Sequence, residues 1–148
     1  MREIKFRAWD KEFQCRLDPE HFYITGEGRP FTCQKRWGDI SCRYELMGTE
    51  RYIIERYTGL KDKNGKEVYE GDILAGYKII TDSGQKNIHM VVQFKYGAFG
   101  HKWIQPCFDS DEGKWEPFYD CDEKLVLWLD EFKIVGNIYE NPELLEQK

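Results

Sequence analysis

Tyr57–Leu74 reads YTGLKDKNGKEVYEGDIL, and this stretch decides the fold. At its centre, Lys63-Asn64-Gly65-Lys66 has the chemistry of a tight hairpin. Asn and Gly tolerate the positive φ that a two-residue type I′ turn demands at both central positions. Glu67-Val68-Tyr69 then extends, and Glu70-Gly71-Asp72 turns sharply into an apolar strand running to about Ile80. A Gly-Asp pair at such a point fits the corner of a small SH3-like barrel, where the backbone must bend. Asp72 is expected to accept backbone N–H bonds within that turn. Tyr57 and Tyr69, on opposite arms, are expected to pair and hold the hairpin to the barrel. Each demanding position has a backbone task, so the stretch predicts scaffold rather than chemistry.

Upstream, Arg51–Tyr57 is apolar and aromatic enough for a strand leading into the hairpin. At the N-terminus, Ile4, Phe6 and Ala8 alternate with Glu3, Lys5 and Arg7, the period of a half-buried strand. Asp10-Lys11-Glu12 supplies a polar turn, and Phe13 is expected to open a return strand. Pro and Gly punctuate residues 18–45, which predicts loops with short strands at Phe22–Ile24 and Asp39–Leu46.

Downstream, Asp82-Ser83-Gly84 predicts a second hairpin, followed by a strand at about Ile88–Lys95. Tyr96–Gly100 reads as a turn and His101–Ile104 as a short strand. Asp109–Glu123 holds seven acids and one Lys and reads as an exposed loop. Lys124–Leu129 fits strand or helix equally. Lys133–Tyr139 is a strand in which Gly136 predicts a bulge or close backbone approach. Asn141-Pro142-Glu143 predicts a short helix, with Asn as its cap and Pro at its first position. The expected fold is mainly β: a small SH3-like or related barrel, with a less regular β-rich N-terminal part and a short C-terminal helix. One domain is expected over 1–148, divided into 1–56, the barrel core 57–140 and the tail 141–148.

Composition narrows the function. The net charge of −5 is uneven, with 11 basic and 10 acidic residues before position 61 and 11 against 17 after it. No broad basic face is required, although Arg36, Arg43, Arg51 and Arg56 could form a local phosphate-binding patch. Five cysteines (15, 33, 42, 107 and 121) behind a charged N-terminus predict reduced thiols in a cytoplasmic compartment. No run approaches the ~18 apolar residues a membrane helix needs.

Motifs for chemistry are sparse. His21, His89 and His101 are far apart, and Cys33 and Cys42 with a histidine reach only three ligands of a zinc site. Asp109–Lys114 begins like a calcium loop but has Lys114 where the sixth-position Gly belongs. There is no Gly-x-Ser-x-Gly and no phosphate-cradling glycine motif. Trp9, Trp37, Trp103, Trp115 and Trp128 could stack bases or sugars, but core packing and subunit contacts suit rings in strand-like runs better. No catalytic, cofactor-binding or metal-binding residue is assigned, and no cofactor is expected.

Three segments resemble the signature segments of the YopX family of phage and prophage proteins: Met1–Glu12 (MREIKFRAWDKE), Tyr57–Ile73, and Ile134–Leu145 (IVGNIYENPELL). Val91–Phe94 followed by Gly97–Gly100 is a weaker fourth point. Residues 13–56 and 109–123 match no family pattern. The resemblance implies a largely β, barrel-containing protein acting in the bacterial host cytoplasm, and it brings no catalytic residue set to carry over. The expected role is a non-enzymatic accessory protein that self-associates as a homo-oligomer or binds a host or phage protein. A nucleic-acid-binding accessory protein is the alternative, with a hydrolase or nuclease behind it.

Overall fold

The computed structural model describes residues 3–34, 43–48, 50–81, 84–105, 115–118, 129 and 131–146. The chain is mainly β and barrel-like, with only a short 3-10 turn at its C-terminal end. It divides into two compact units, residues 5–55 and residues 1–4 with 56–148.

The N-terminal unit starts with strands β1 (Phe6–Asp10) and β2 (Cys15–Arg16), paired antiparallel with Trp9 opposite Arg16. The predicted polar turn forms because the Asp10 carboxylate accepts from the amides of Glu12 (2.9 Å) and Phe13 (3.2 Å). Phe13 does not open the return strand; it is exposed, and the strand begins at Cys15. Ile4 also lies outside the strand and is exposed, so the alternation becomes strand only from Phe6. Strands β3 (Phe22–Ile24), β4 (Pro30–Gln34) and β5 (Arg43–Leu46) form an antiparallel sheet in that order. The β3 strand matches expectation; Asp39–Cys42, the predicted start of β5, lies outside the described residues.

Among the described residues of this unit, the buried apolar ones are Ala8, Trp9, Cys33 and Met47. Charge fills much of the remainder. Glu55, only 1% exposed, meets both Arg7 and Arg16 through one carboxylate oxygen. Asp10 accepts from Arg51 Nε (3.0 Å) and Nη2 (2.7 Å). Burial pulls the Asp10 carboxyl upward, but Arg51 and the two turn amides outweigh it and hold it below the ordinary range. The expectation of reduced thiols fails at Cys33, which is disulfide-bonded; Cys15 is a free, exposed thiol.

Strand β6 (Tyr52–Lys61) runs out of this unit into the next, where it pairs with β7 (Glu67–Tyr69). Tyr57 stands opposite Tyr69 with ring centroids 5.3 Å apart, the expected cross-strand pair. The turn between these strands differs from a two-residue type I′ hairpin. It spans residues 62–66, and Asn64 keeps a negative φ while Gly65 takes +78°. Asp62 organises it: the Asp62 carbonyl accepts from Gly65 N, and its carboxylate accepts from Asn64 N (2.8 Å) and Lys66 N (2.9 Å). Asp at the first position of a type I turn is favoured for this reason.

Strands β8 (Asp72–Thr81), β9 (Gly84–Lys95), β10 (Ala98–Gln105), β11 (Trp115–Pro117) and β12 (Lys133–Asn137) form an antiparallel sheet in the order β11-β10-β9-β8-β12. Thr81 pairs with Gly84, so β8 and β9 form the predicted second hairpin. The predicted turn at Tyr96–Gly100 shrinks to Tyr96-Gly97, and Lys95 pairs with Ala98 across it. Both turn residues have positive φ (+52° and +79°), so the type I′ turn sits here. Within the acidic segment, Trp115–Pro117 is strand rather than loop; Asp109–Lys114 and Lys124–Trp128 lie outside the described residues.

The core of this unit is apolar: Val68, Leu74, Met90, Val92, Phe99 and Phe132 are among its buried members. Two carboxylates of the opening stretch join the hairpin to β12. Asp62 Oδ2 accepts from Ile134 N (3.0 Å). Asp72 accepts from Tyr69 N (2.8 Å), as the turn required, and from the Asn137 side-chain amide (3.2 Å). The β12 register shifts between Ile134 and Gly136, which is the predicted bulge. A Cβ at Gly136 would come within 2.6 Å of Asn141 Oδ1 and 2.8 Å of Leu144 Cδ1. The chain therefore closes on Gly136 with the 3-10 turn Pro142–Leu145. Asn141 does not cap that turn through its side chain; its Oδ1 accepts from Asn137 N (3.3 Å) instead.

Candidate functional site

The β9–β10 hairpin presents two faces with different chemistry. Strand alternation and the pairs Lys102↔Val91 and Gly100↔Gln93 put these residues on one face. The neighbouring pairs His101↔Val92 and Phe99↔Phe94 put those residues on the other. The second face joins the core, where His101 is 3% exposed. The His101 ring stacks on Phe118 (5.6 Å) and meets Trp103 edge-on (4.6 Å). Glu116 Oε2 lies 3.7 Å from its Nε2, and neither ring nitrogen has a hydrogen-bond partner. Burial pushes the imidazole down to about 4, against a smaller upward pull from Glu116. His101 is therefore neutral near pH 7 and a weak base there.

A cavity of about 380 Å³ adjoins Val91, Gln93 and Lys102 of the other face and is also lined by Trp103, Ile138 and Leu145 among others. Ile138 follows β12 and Leu145 closes the 3-10 turn, so the bulge at Gly136 positions this wall. The Gln93 carboxamide oxygen is buried without a hydrogen-bond partner, as is the indole N–H of Trp115. Trp115 is the cross-strand partner of Lys102. Its ring lies over Gly100, where a Cβ would come within 2.7 Å of it.

In the N-terminal unit, the pairs Tyr23↔Phe31 and Phe31↔Leu46 line up an apolar row across β3, β4 and β5. Tyr23 and Leu46 are exposed at 46% and 60%. A sheet face that shows such a row to solvent is suited to covering by another surface.

The residues singled out in the sequence scatter. Arg51 is held by Asp10 and Glu12, and Arg56 by Glu70 while lying over the Phe94 ring at 3.9 Å. Arg43 lies in β5, and Arg36 is outside the described residues. Both described members whose side chains are seen thus answer to carboxylates rather than standing ready for phosphate. Among the described residues no group of three His, Cys, Asp or Glu could hold a metal ion. Cys33 is in a disulfide, and Cys42 lies outside the described residues. Trp9 is buried, Trp103 and Trp115 are half-buried, and Trp37 and Trp128 are not described. Sequence reasoning passed over Gln93, Lys102 and Asp62. Only Asp62 carried a signal, its place two residues before Asn-Gly.

The model of the YopX family, described as YopX protein, matches residues 5–146. A solved structure, protein EF1440 from Enterococcus faecalis, is similar at 27% identity and a TM-score of 0.52. That likeness covers 98% of this chain and 99% of the other. No curated protein matches the chain. No helix among the described residues is long and apolar enough to cross a membrane.

Proposed function

The chain belongs to the YopX family of phage and prophage proteins, and on that footing we propose that it is a non-enzymatic accessory protein, an interaction module that self-associates. A host or phage protein is the other partner this reading admits. The observation that carries it is the row Tyr23–Phe31–Leu46, assembled by register across three strands, with exposed Tyr23 and Leu46 flanking a half-buried Phe31. Burying apolar rings and a leucine between two copies gains about 25 cal/mol per Å² of apolar surface removed from water. β-Domains commonly shield such surfaces by symmetric association. The family match running from residue 5 to residue 146 supports reading the chain as one functional domain.

Light scattering at micromolar concentration tests the proposal. Self-association gives a multiple of 17.7 kDa, and Tyr23→Ser with Leu46→Ser returns the protein to a single chain. A single-chain mass for the unaltered protein overturns self-association. Pull-down from infected cells, with the double variant as control, then decides for or against a foreign partner.

The host cytoplasm is the proposed place of action. Fractionation of infected cells, with the chain followed by immunoblot, tests it: recovery in the cytoplasmic fraction supports the proposal, and recovery outside it counts against it.

A further inference from the structure

We propose that Asn64 is a site of slow covalent modification: its carboxamide closes on the Gly65 main-chain nitrogen, loses ammonia, and reopens with water to isoaspartate. The turn of residues 62–66 is held through the Asn64 main chain and not through its side chain. The N–H groups of Asn64 and Lys66 donate to the Asp62 carboxylate (2.8 and 2.9 Å), and the Gly65 N–H donates to the Asp62 carbonyl (2.8 Å). Asn64 keeps a negative φ, so the left-handed geometry that favours Asn is not used at this position. Its exposed carboxamide enters none of the bonds that hold the turn.

The residue that follows makes this carboxamide reactive. Gly65 has no Cβ to screen its nitrogen, and a Cβ built there would meet nothing within 4 Å apart from its chain neighbours. A succinimide ring therefore forms without a clash. Gly65 N bonds to Asn64 Cγ, the Cγ–Nδ2 bond breaks, and the Gly65 proton leaves with the amine as ammonia. Water then opens the ring. Attack at the main-chain carbonyl carbon gives isoaspartate, and attack at Cγ gives aspartate. The other asparagines lack this setting. Asn87 and Asn137 precede isoleucine, and Asn141 precedes Pro142, whose nitrogen has no proton to give.

Asp62 gates the step. The attacking nitrogen donates its proton to the Asp62 carbonyl, and the amides on both sides of it are held by the Asp62 carboxylate. The turn must open locally before the ring can close. Isoaspartate then adds a methylene to the main chain between Asp62 and Lys66, and a carboxylate near that of Asp62. The longer chain and the like charge both draw the Asn64 and Lys66 amides away from Asp62. Asp62 also accepts from Ile134 N (3.0 Å), and Lys63 N donates to the Phe132 carbonyl (2.9 Å). The altered turn therefore loosens its hold on β12.

The hairpin belongs to the C-terminal unit, so the test does not depend on self-association through the apolar row of the N-terminal unit. The full chain is aged in mildly alkaline buffer and digested, and its peptides are mapped by chromatography and mass spectrometry that separate isoaspartate from aspartate. Conversion is expected at Asn64 and not at Asn137 or Asn141, and Asn64→Gln should abolish it. Asp62→Ala should speed it about tenfold. Asp62→Asn, which keeps the shape of the side chain, should act in the same direction, with a thermal melt confirming the fold of both variants. In the aged chain the Ile134 amide should exchange about tenfold faster than in the fresh one. Asn64→Asp, which adds charge without lengthening the chain, should fall between the two. An Asn64 peptide unchanged after weeks overturns the proposal. A rate that neither Asp62 variant alters, or an Ile134 amide equally protected before and after ageing, overturns it too.

Discussion

The two units solve the same problem with different materials. The C-terminal unit buries an apolar cluster and uses carboxylates to close backbone N–H groups: Asp62 takes three and Asp72 takes that of Tyr69. The N-terminal unit, among its described residues, buries few apolar side chains and sets carboxylates against arginines instead, Glu55 with Arg7 and Arg16, Asp10 with Arg51. A carboxylate that serves backbone amides fixes a turn. One that serves guanidinium groups binds together strands whose other contacts are thin. Small β-units with little apolar interior therefore depend more on charge geometry than on area.

Hydrogen exchange read residue by residue can break this contrast, because it reports each unit separately. The largest loss is expected from Leu74→Ala, a fully buried core position, at about 4 kcal/mol and centred on β8 to β10. Protection in the N-terminal unit falling as far would refute the division. Glu55→Gln should cost about 3 kcal/mol in residues 5–55, since two guanidinium groups lose their shared anion. Replacing Arg7, Glu55 and Arg16 together by Met, Met and Leu should recover most of that loss; failure to recover would mean the charges do more than satisfy one another.

Acid sharpens the comparison. His101 has its folded value lowered to about 4 from 6.5. In that window the unfolded chain binds the proton and the folded chain does not, so stability falls as pH drops from about 6.5 toward 4. The loss is on the order of 3 kcal/mol, sits in the C-terminal unit, and should vanish in His101→Phe. Denaturant melts from pH 7 to pH 4 measure it. The smallest effect is expected from Asp62→Ala, about 2 kcal/mol, because two of the three released amides lie in an exposed loop that water can reach. Burial raises the Asp62 carboxyl, but bonds from Ile134, Lys66 and Asn64 outweigh it and lower it below 3.8. Its contribution is thus complete above that pH and fades as pH falls through the lower folded value.

Local chemistry made much of the barrel legible. Gly71-Asp72, the Tyr57–Tyr69 pair and the bulge at Gly136 each follow from what one or two residues can do with the backbone. The type I′ turn was misplaced because Asn-Gly allows that geometry without requiring it. Asp62 draws the chain into a type I turn with Gly65 behind it, while strand pairing forces Tyr96, a poor residue for positive φ, into the primed turn. Distance along the chain hid the rest. Asp62 meets Ile134 across 72 positions, and Gln93, Lys102 and Ile138 share a cavity only after three strands align. The burial of His101 is a product of packing in the same way.

The Asp62–Ile134 bond has a consequence for how chains grow. Strand β12 ends its sheet in the order β11-β10-β9-β8-β12, and a terminal strand is ordinarily where a further copy could add by backbone pairing. Here the Ile134 amide is taken by Asp62, the Phe132 carbonyl by Lys63 N and the Asn137 amide by Asn141. The template is capped before a second molecule arrives. Protonating Asp62 loosens one of those caps, so seeding of fibrils in strong acid should track the Asp62 carboxyl.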